Sequence, residues 1–395
     1  MGKLKGKTAI VGIGEVPTGR YHERAAIVCA IESCRQAILD AGIKKDEIDF
    51  IIPTGSMYSS PYNTEMCTSR IVEELGLARK STANFQVFSG GSSTGNILKT
   101  AAGLIATGLA KNVLCVHSDK LATGISAQGG IDLFSTAGIS AEWEVPFGMH
   151  YSAIAALTMQ RFMFETGTTA EQLASVCVSN RKWAELNPNA MHRKPITVEE
   201  VMASKMLSEP LHAKESNMLA DGGSAFIITS ADRARDLTDK PVYLLGEGSL
   251  VTHHVFSQDT DLTRLGFVEA GQAAYKEAGL TPEDMDIAEL YDSYAVYQLI
   301  ALEALGLCGR GESGEYVQSG HTWPGGELPM TTNGGMLSQG HTGAGGSFAI
   351  LVETVRQLMG KAGERQVPGA RFAIETSTGG TYMDSHAAIF GNIIP

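Results

Sequence analysis

The stretch Ala41-Gly42-Ile43-Lys44-Lys45-Asp46-Glu47-Ile48-Asp49 returns, altered but recognisable, as Ala278-Gly279-Leu280-Thr281-Pro282-Glu283-Asp284-Met285-Asp286. The offset stays at 237 positions, from 41 against 278 to 49 against 286. Each copy closes an Ala-rich helical pattern, Ala25 to Leu39 or Val268 to Glu277, at a glycine suited to a helix C-cap. A short apolar strand follows each copy, Phe50-Ile51-Ile52 or Ile287-Ala288-Glu289-Leu290. Another precedes each, Thr8-Ala9-Ile10-Val11 or Val242-Tyr243-Leu244-Leu245. One β-α-β unit therefore occurs twice, at a spacing that marks a duplicated domain and not a solenoid.

Outward from these units the α/β alternation continues. Val113-Leu114-Cys115-Val116 reads as a buried strand after the small-residue helix Thr94–Leu109, and Ala225-Phe226-Ile227-Ile228 and Phe372-Ala373-Ile374 read alike. The region from about 120 to 215 breaks the rhythm with helices and polar loops, and reads as an insertion over the first half. The expected division is 1–240, insertion included, and 241–395.

Composition narrows the function classes. With 31 Lys+Arg against 43 Asp+Glu over 395 residues, the net charge of −12 argues against a nucleic-acid binder. A local basic cluster can still hold an anion. The six cysteines form no C-x-x-C pair and read as reduced, mostly buried thiols, with no metal site expected. No stretch approaches the ~20 apolar residues that span a bilayer, and the run Thr8–Gly12 is too short for a signal peptide. A soluble cytoplasmic protein is expected.

Four loops could carry chemistry. Phe88-Ser89-Gly90-Gly91-Ser92-Ser93-Thr94-Gly95 opens a helix whose N-terminal N–H groups suit an anion, although a packing turn has the same composition. Tyr291-Asp292-Ser293-Tyr294 ends a strand and brings phenols that could move a proton or simply pack. Asn333-Gly334-Gly335 leads into Gly340-His341-Thr342-Gly343-Ala344-Gly345-Gly346, a glycine-dense loop around one histidine whose entropic cost points to function. Thr376-Ser377-Thr378-Gly379-Gly380-Thr381-Tyr382 is a weaker signal of the same kind. Gly12-Ile13-Gly14 imitates a dinucleotide fingerprint, but Pro17 stands where its third glycine belongs. His212, His253 and His254 lack metal-ligand spacing.

With these loops, the duplication and the insertion, the chain resembles the thiolase superfamily, in its sterol-carrier or lipid-transfer branch. Asn187-Pro188-Asn189-Ala190, Lys194 through Val201, Asp221-Gly222-Gly223, Glu303 through Cys308 and Gly363 through Ala370 carry the closer likeness, which covers essentially the whole chain. The resemblance implies an α/β thiolase fold: two duplicated βαβαβ halves with five-stranded sheets, a layered αβαβα core, a helical loop domain that binds coenzyme A, and a dimer. Benzoylsuccinyl-CoA thiolase subunits and steroid side-chain CoA aldolases are the near neighbours it suggests. From them it implies a small zinc-ribbon/OB-fold partner subunit.

The departures from the family pattern are informative. Phe88 stands at the family's nucleophilic Cys, with Ser89 beside it. Tyr291 stands where a His usually precedes Asp-x-Phe, Ser377 falls near the second family Cys, and His341 matches the histidine of the third loop. Retro-Claisen cleavage of a β-ketoacyl-CoA by free CoA, with no acyl-enzyme, is the reading placed first, on the likeness to thiolases. In it His341 deprotonates the CoA thiol, backbone near Gly380 holds the oxyanion, and Asn333 with Tyr291 serves the departing enolate. Retro-aldol cleavage of a β-hydroxyacyl-CoA is another, with Tyr291 or Tyr382 as base and His341 at the enolate. A non-catalytic acyl-CoA or lipid binder is the third. Phe88, Ser89, Tyr294 and Ser377 would line the substrate, and Arg181, Lys182, His192, Arg193 and Lys194 would face the CoA phosphates. Tyr58, Tyr62, Phe134, Trp143 and Phe147 join Phe88 as hints of an aromatic or polycyclic pocket.

Overall fold

The computed structural model describes residues 4–54, 67–80, 83–126 and 138–395. Tyr58, Tyr62 and Phe134 lie outside the described residues. The first half contributes β1 (Thr8–Gly19), β2 (Phe50–Pro53), β3 (Ala83–Asn84), β4 (Asn112–Lys120) and, after the hairpin β5 (Met206–Ser208) and β6 (Leu211–His212), β7 (Asp221–Ser230). The second contributes β8 (Val242–Val251), β9 (Ile287–Glu289), β10 (Phe372–Gly379) and β11 (Asp384–Gly391).

Among the described residues these form one sheet in the order β3-β2-β4-β7-β1-β8-β11-β10-β9. The order reads the same outward from the centre in both directions, as duplication requires. The expected two five-stranded sheets are thus fused into one. The junction is a short antiparallel pairing of Ala9 with Tyr243 and Ile10 with Val242. The second half also stops at four strands. At its edge only Met330 bridges Ala288, because Pro329 has no N–H to donate and Thr331 turns left-handed at φ 50°.

Helix packing folds the sheet over itself. Helix Ser93–Ala106 packs on β4 and β7 of its own half and on β10 and β11 of the other; helix Gly346–Leu358 packs on β9 and β10 and on β1 and β7. These two helices are the middle layer. Ile97, Leu98, Phe226, Phe348, Leu351 and Phe390 fill it, each buried, at about 1.5–3 kcal/mol per large side chain. Helix Ala26–Asp40 covers the outer face of β1 and β7, and helix Phe267–Ala278 that of β8 and β11. The αβαβα layering follows.

The glycines of the imitation fingerprint have a packing role. A Cβ at Gly14 would lie 2.0 Å from the Ser33 carbonyl oxygen, and one at Gly248 would lie 2.0 Å from that of Ala270. Each half seats its outer helix directly on strand backbone by the same device. The segment between β4 and β7 carries helices Tyr151–Thr166, Ala170–Glu185 and Val198–Met202, the last two opened by capping boxes at Thr169 and Thr197.

Candidate active site

The four loops converge where the halves meet. Gly91 lies so close to the fourth loop that a Cβ there would stand 2.2 Å from the Thr378 carbonyl oxygen and 2.9 Å from the Tyr291 hydroxyl. A Cβ at Gly90 would stand 3.2 Å from the Gly380 nitrogen. Tyr291 is tied to the fourth loop through its backbone N–H, which donates to Thr376 Oγ1 at 2.9 Å. The third loop joins through Ser347, whose Oγ donates to the Gly91 carbonyl at 2.6 Å.

His341 is buried, and its backbone is clamped on both sides: its N–H donates to the Met218 carbonyl at 2.6 Å and its carbonyl accepts from Ala220 N–H at 2.9 Å. Burial pushes the imidazole pKa down to about 4, so the ring rests neutral. Its Nδ1 accepts from Gly343 N–H at 3.2 Å. The proton of the neutral ring therefore sits on Nε2, and His341 presents a donor. Nε2 faces Gly346, where a Cβ would approach to 3.1 Å.

The second and fourth loops bring together a cluster of phenols. Tyr382 OH and Ser293 Oγ share a 2.6 Å hydrogen bond. The Tyr382 ring stacks on Tyr297 with centroids 3.6 Å apart, and Tyr294 meets Tyr297 edge-on at 6.2 Å. These contacts hold Tyr382 at φ 67°, a conformation that costs a non-glycine residue. Burial raises the pKa of Tyr291, Tyr294 and Tyr382, so all three are phenols at rest.

The remaining expected residues take varied places. Phe88 is half exposed at the rim (51%), while Trp143 and Phe147 are exposed. Ser89 Oγ accepts from Asn96 Nδ2 at 2.8 Å, and Ser377 is wholly buried with no partner for its Oγ. Asn333 spends its amide on backbone, accepting from Gly335 N–H at 2.8 Å and donating to the Ala349 carbonyl at 3.3 Å. It braces its own loop. Asp292 accepts from Met336 N–H, Leu337 N–H and Asn180 Nδ2, and burial still lifts its carboxyl to about 7.

The basic set divides. Arg181 is buried, bonded to Ser338 Oγ at 3.0 Å and the Lys194 carbonyl at 2.8 Å, and Lys182 lies over the Trp323 ring at 4.3 Å. His192, Arg193 and Lys194 are exposed. Partial burial and the charges of Arg181 and Arg20 hold His192 below its usual range.

Two supporting residues escape sequence reasoning. His117, in β4, lies between Thr54 Oγ1 at 2.7 Å and the Thr342 carbonyl at 2.8 Å, and so pins the turn after His341. Glu15, in β1, accepts from Gln339 Nε2 at 2.7 Å, Asn189 Nδ2 at 3.1 Å and Arg356 Nη2 at 3.0 Å, joining the histidine loop to the insertion. A lone histidine in an apolar strand and a carboxylate after a glycine pair carry no local signal of either task. Among the described residues no group of three His, Cys, Asp or Glu side chains is placed to hold a metal, and no helix is long and apolar enough to cross a membrane.

Layering, duplication and four convergent loops define a thiolase-type fold. A thiolase C-terminal domain-like family model matches residues 248–392. The chain is 32% identical over 384 residues to an acetyl-CoA acetyltransferase of Methanothermobacter thermautotrophicus, covering 97% of this chain and 98% of that one. It is 32% identical over 369 residues to a steroid side-chain-cleaving aldolase of Thermomonospora curvata, covering 90% and 92%. Among solved structures, an Ltp2-ChsH2(DUF35) aldolase superposes with a TM-score of 0.86 at 28% identity, over 98% of both chains. The chain belongs to the thiolase superfamily, in its sterol-carrier and lipid-transfer branch.

Proposed function

We propose that the protein is a carbon–carbon bond-cleaving enzyme of acyl-CoA thioesters, and that it works by retro-aldol cleavage of a β-hydroxyacyl-CoA. One observation carries the reading: of the four loops, none of which contains a cysteine, one holds a neutral histidine that presents Nε2–H and two hold buried tyrosines. Retro-aldol cleavage needs no nucleophile. It needs a group that takes the β-hydroxyl proton and a donor for the thioester oxygen as it becomes an enolate. The Tyr382–Ser293 pair and Tyr291 are the groups offered for the first; each rests protonated, so it takes the β-hydroxyl proton only as its own phenolic proton passes on, from Tyr382 to Ser293 Oγ and from there to water. His341 Nε2–H supplies the second. The likeness to two aldolases supports this reading.

Thiolytic cleavage of a β-ketoacyl-CoA is the second reading, favoured by the retained glycine–histidine loop and by the acetyltransferase relative. It asks His341 to take a proton from a thiol, for which a histidine at about 4 is a weak base. In both readings the CoA phosphates lie against His192, Arg193 and Lys194. The solved aldolase contains a DUF35 partner, and a small partner subunit of that kind is proposed here, with a homodimer of this chain at the centre.

The test is turnover of a β-hydroxyacyl-CoA without free CoA and of the matching β-ketoacyl-CoA with it, using protein co-purified with any small subunit. Cleavage of the hydroxy substrate alone is expected. Cleavage confined to the keto substrate and dependent on CoA would replace the aldol reading with the thiolytic one. Binding without turnover of either would leave a carrier.

A further inference from the structure

His253 follows the end of β8 by two residues, is buried, and takes no part in the proposed cleavage. Its Nε2 lies 3.2 Å from the Thr381 carbonyl, and because a carbonyl only accepts, Nε2 carries the proton of that contact. Its Nδ1 lies 2.8 Å from Thr252 Oγ1 and 3.6 Å from Asp259 Oδ2, a buried carboxylate oxygen with no hydrogen-bond partner. Both side chains are nearly sealed from water, His253 at 1% exposure and Asp259 at 6%. The ring is thus engaged at both nitrogens. One residue earlier, Thr252 N–H donates to the Met383 carbonyl at 2.7 Å, which extends the β8–β11 ladder beyond its last register pair, Val251 with Asp384.

These contacts bracket Tyr382. The hairpin from β10 to β11 puts Gly380 at φ 57° and Tyr382 at φ 67°. Glycine accepts that region freely, and tyrosine does not. The φ of Tyr382 is set by the peptide plane that carries the Thr381 carbonyl, and that is the plane His253 holds. The next peptide plane is held within the hairpin, where Met383 N–H donates to the Gly379 carbonyl at 3.2 Å. Thr381 is anchored a second time through Oγ1, which donates to the Gly138 carbonyl at 3.2 Å. The His253 segment is fastened to the insertion as well: Ser257 N–H donates to Glu144 Oε1 at 2.6 Å, and Glu144 Oε2 accepts from Ser140 N–H at 2.7 Å.

We propose that His253, steadied by Asp259, is a positioning residue that keeps the Tyr382 hydroxyl on Ser293. The proposal rests on the retro-aldol reading, in which that hydroxyl takes part in moving the β-hydroxyl proton. Without the Nε2–H donor the Thr381 carbonyl is free to turn, and Tyr382 relaxes toward negative φ, the region a side chain with a Cβ favours. The Tyr382 side chain then swings away, and its 2.6 Å bond to Ser293 Oγ is lost. A misplacement of about 1 Å at a catalytic group is enough to slow a reaction by up to about 100-fold. His253 neither gives nor takes a proton in the reaction; it acts through Tyr382.

The experiment is a double-mutant cycle on kcat and KM. Its substrate is the most rapidly cleaved of a panel of aliphatic and aryl-substituted β-hydroxyacyl-CoA thioesters, with protein co-purified with any small subunit. His253→Ala is expected to lower kcat about 30-fold with KM changed by no more than about twofold. His253→Gln, whose amide still donates to the Thr381 carbonyl, is expected to recover most of that loss. In the Tyr382→Phe background the hydroxyl is already gone, so His253→Ala is expected to cost no more than about threefold further. Wild-type kcat in His253→Ala overturns the positioning role, and so does an equal loss in both backgrounds, which marks damage to the fold. If His253→Ala does not fold, His253→Met, which fills the space without a donor, is set against His253→Gln, and equal kcat in these two overturns it. Full activity in Tyr382→Phe overturns it as well. A wild-type protein that cleaves none of the panel overturns the retro-aldol reading and the positioning role with it, whereas cleavage that is indifferent to His253 overturns the positioning role alone.

Discussion

Ser347 Oγ donates to the carbonyl oxygen of Gly91 across the junction of the two halves, and Ser347 Oγ also lies 2.9 Å from Thr94 Oγ1. Through it the first residues of one middle helix hold the loop that opens the other, so both helix starts are set against a single site. Ser347→Ala leaves the Gly91 carbonyl short of a donor. A loss of about 1–3 kcal/mol in urea unfolding is expected, with a fall in turnover that exceeds any change in acyl-CoA affinity.

Tyr382→Phe keeps the stack on Tyr297 and removes the hydroxyl bonded to Ser293. Cleavage of a β-hydroxyacyl-CoA is expected to fall about 10²-fold with little change in thermal stability. Tyr291→Phe should cost turnover similarly. Full activity in either variant, by steady-state assay, removes that phenol from the proton path.

His341→Ala should abolish cleavage and leave CoA affinity largely intact. In the proposed reaction the ring is the donor to the reacting oxygen, whereas the exposed cations lie on the insertion. Isothermal titration with CoA beside the activity assay separates the two effects.

Glu375 is wholly buried, neither of its carboxylate oxygens has a partner, and burial lifts its pKa to about 8. Unfolded, the same carboxyl ionises near 4.5. The unfolded chain therefore releases this proton first, and Glu375 costs the fold more as pH rises from about 4.5 to about 8. Relative to wild type, Glu375→Gln should gain stability across that window by up to about 1.4 kcal/mol per pH unit. Urea unfolding at pH 5 and pH 8 checks it; a difference that does not grow with pH contradicts it.

Phe88→Ala should retain measurable turnover, with KM raised and kcat within a few-fold. The side chain is half exposed at the rim and touches the problem of access more than that of bond cleavage.

The fold was legible because duplication is written twice: Gly42 and Gly279 end their helices at the same φ of 67°, and the strands flanking each copy lie where the apolar runs put them. The fusion of the sheets was not, because it rests on two residue pairs whose apolar side chains would suit any buried strand. The four loops were visible from glycine density and strand ends. Their interior was less so. Arg181 and Asn333 have the right chemistry for ligand contact, but both are engaged with the protein itself. His117 and Glu15 act on the histidine loop through residues more than 100 positions away in the chain, a distance at which composition and spacing carry no information.

The carboxylate of Glu15 grips Gln339 and Asn189 at once. Insertion and histidine loop are fastened to each other through one buried carboxylate of the first strand. A change that draws the insertion away from the sheet therefore pulls on the segment that carries His341, so the two move as one piece and not as a lid over a fixed base.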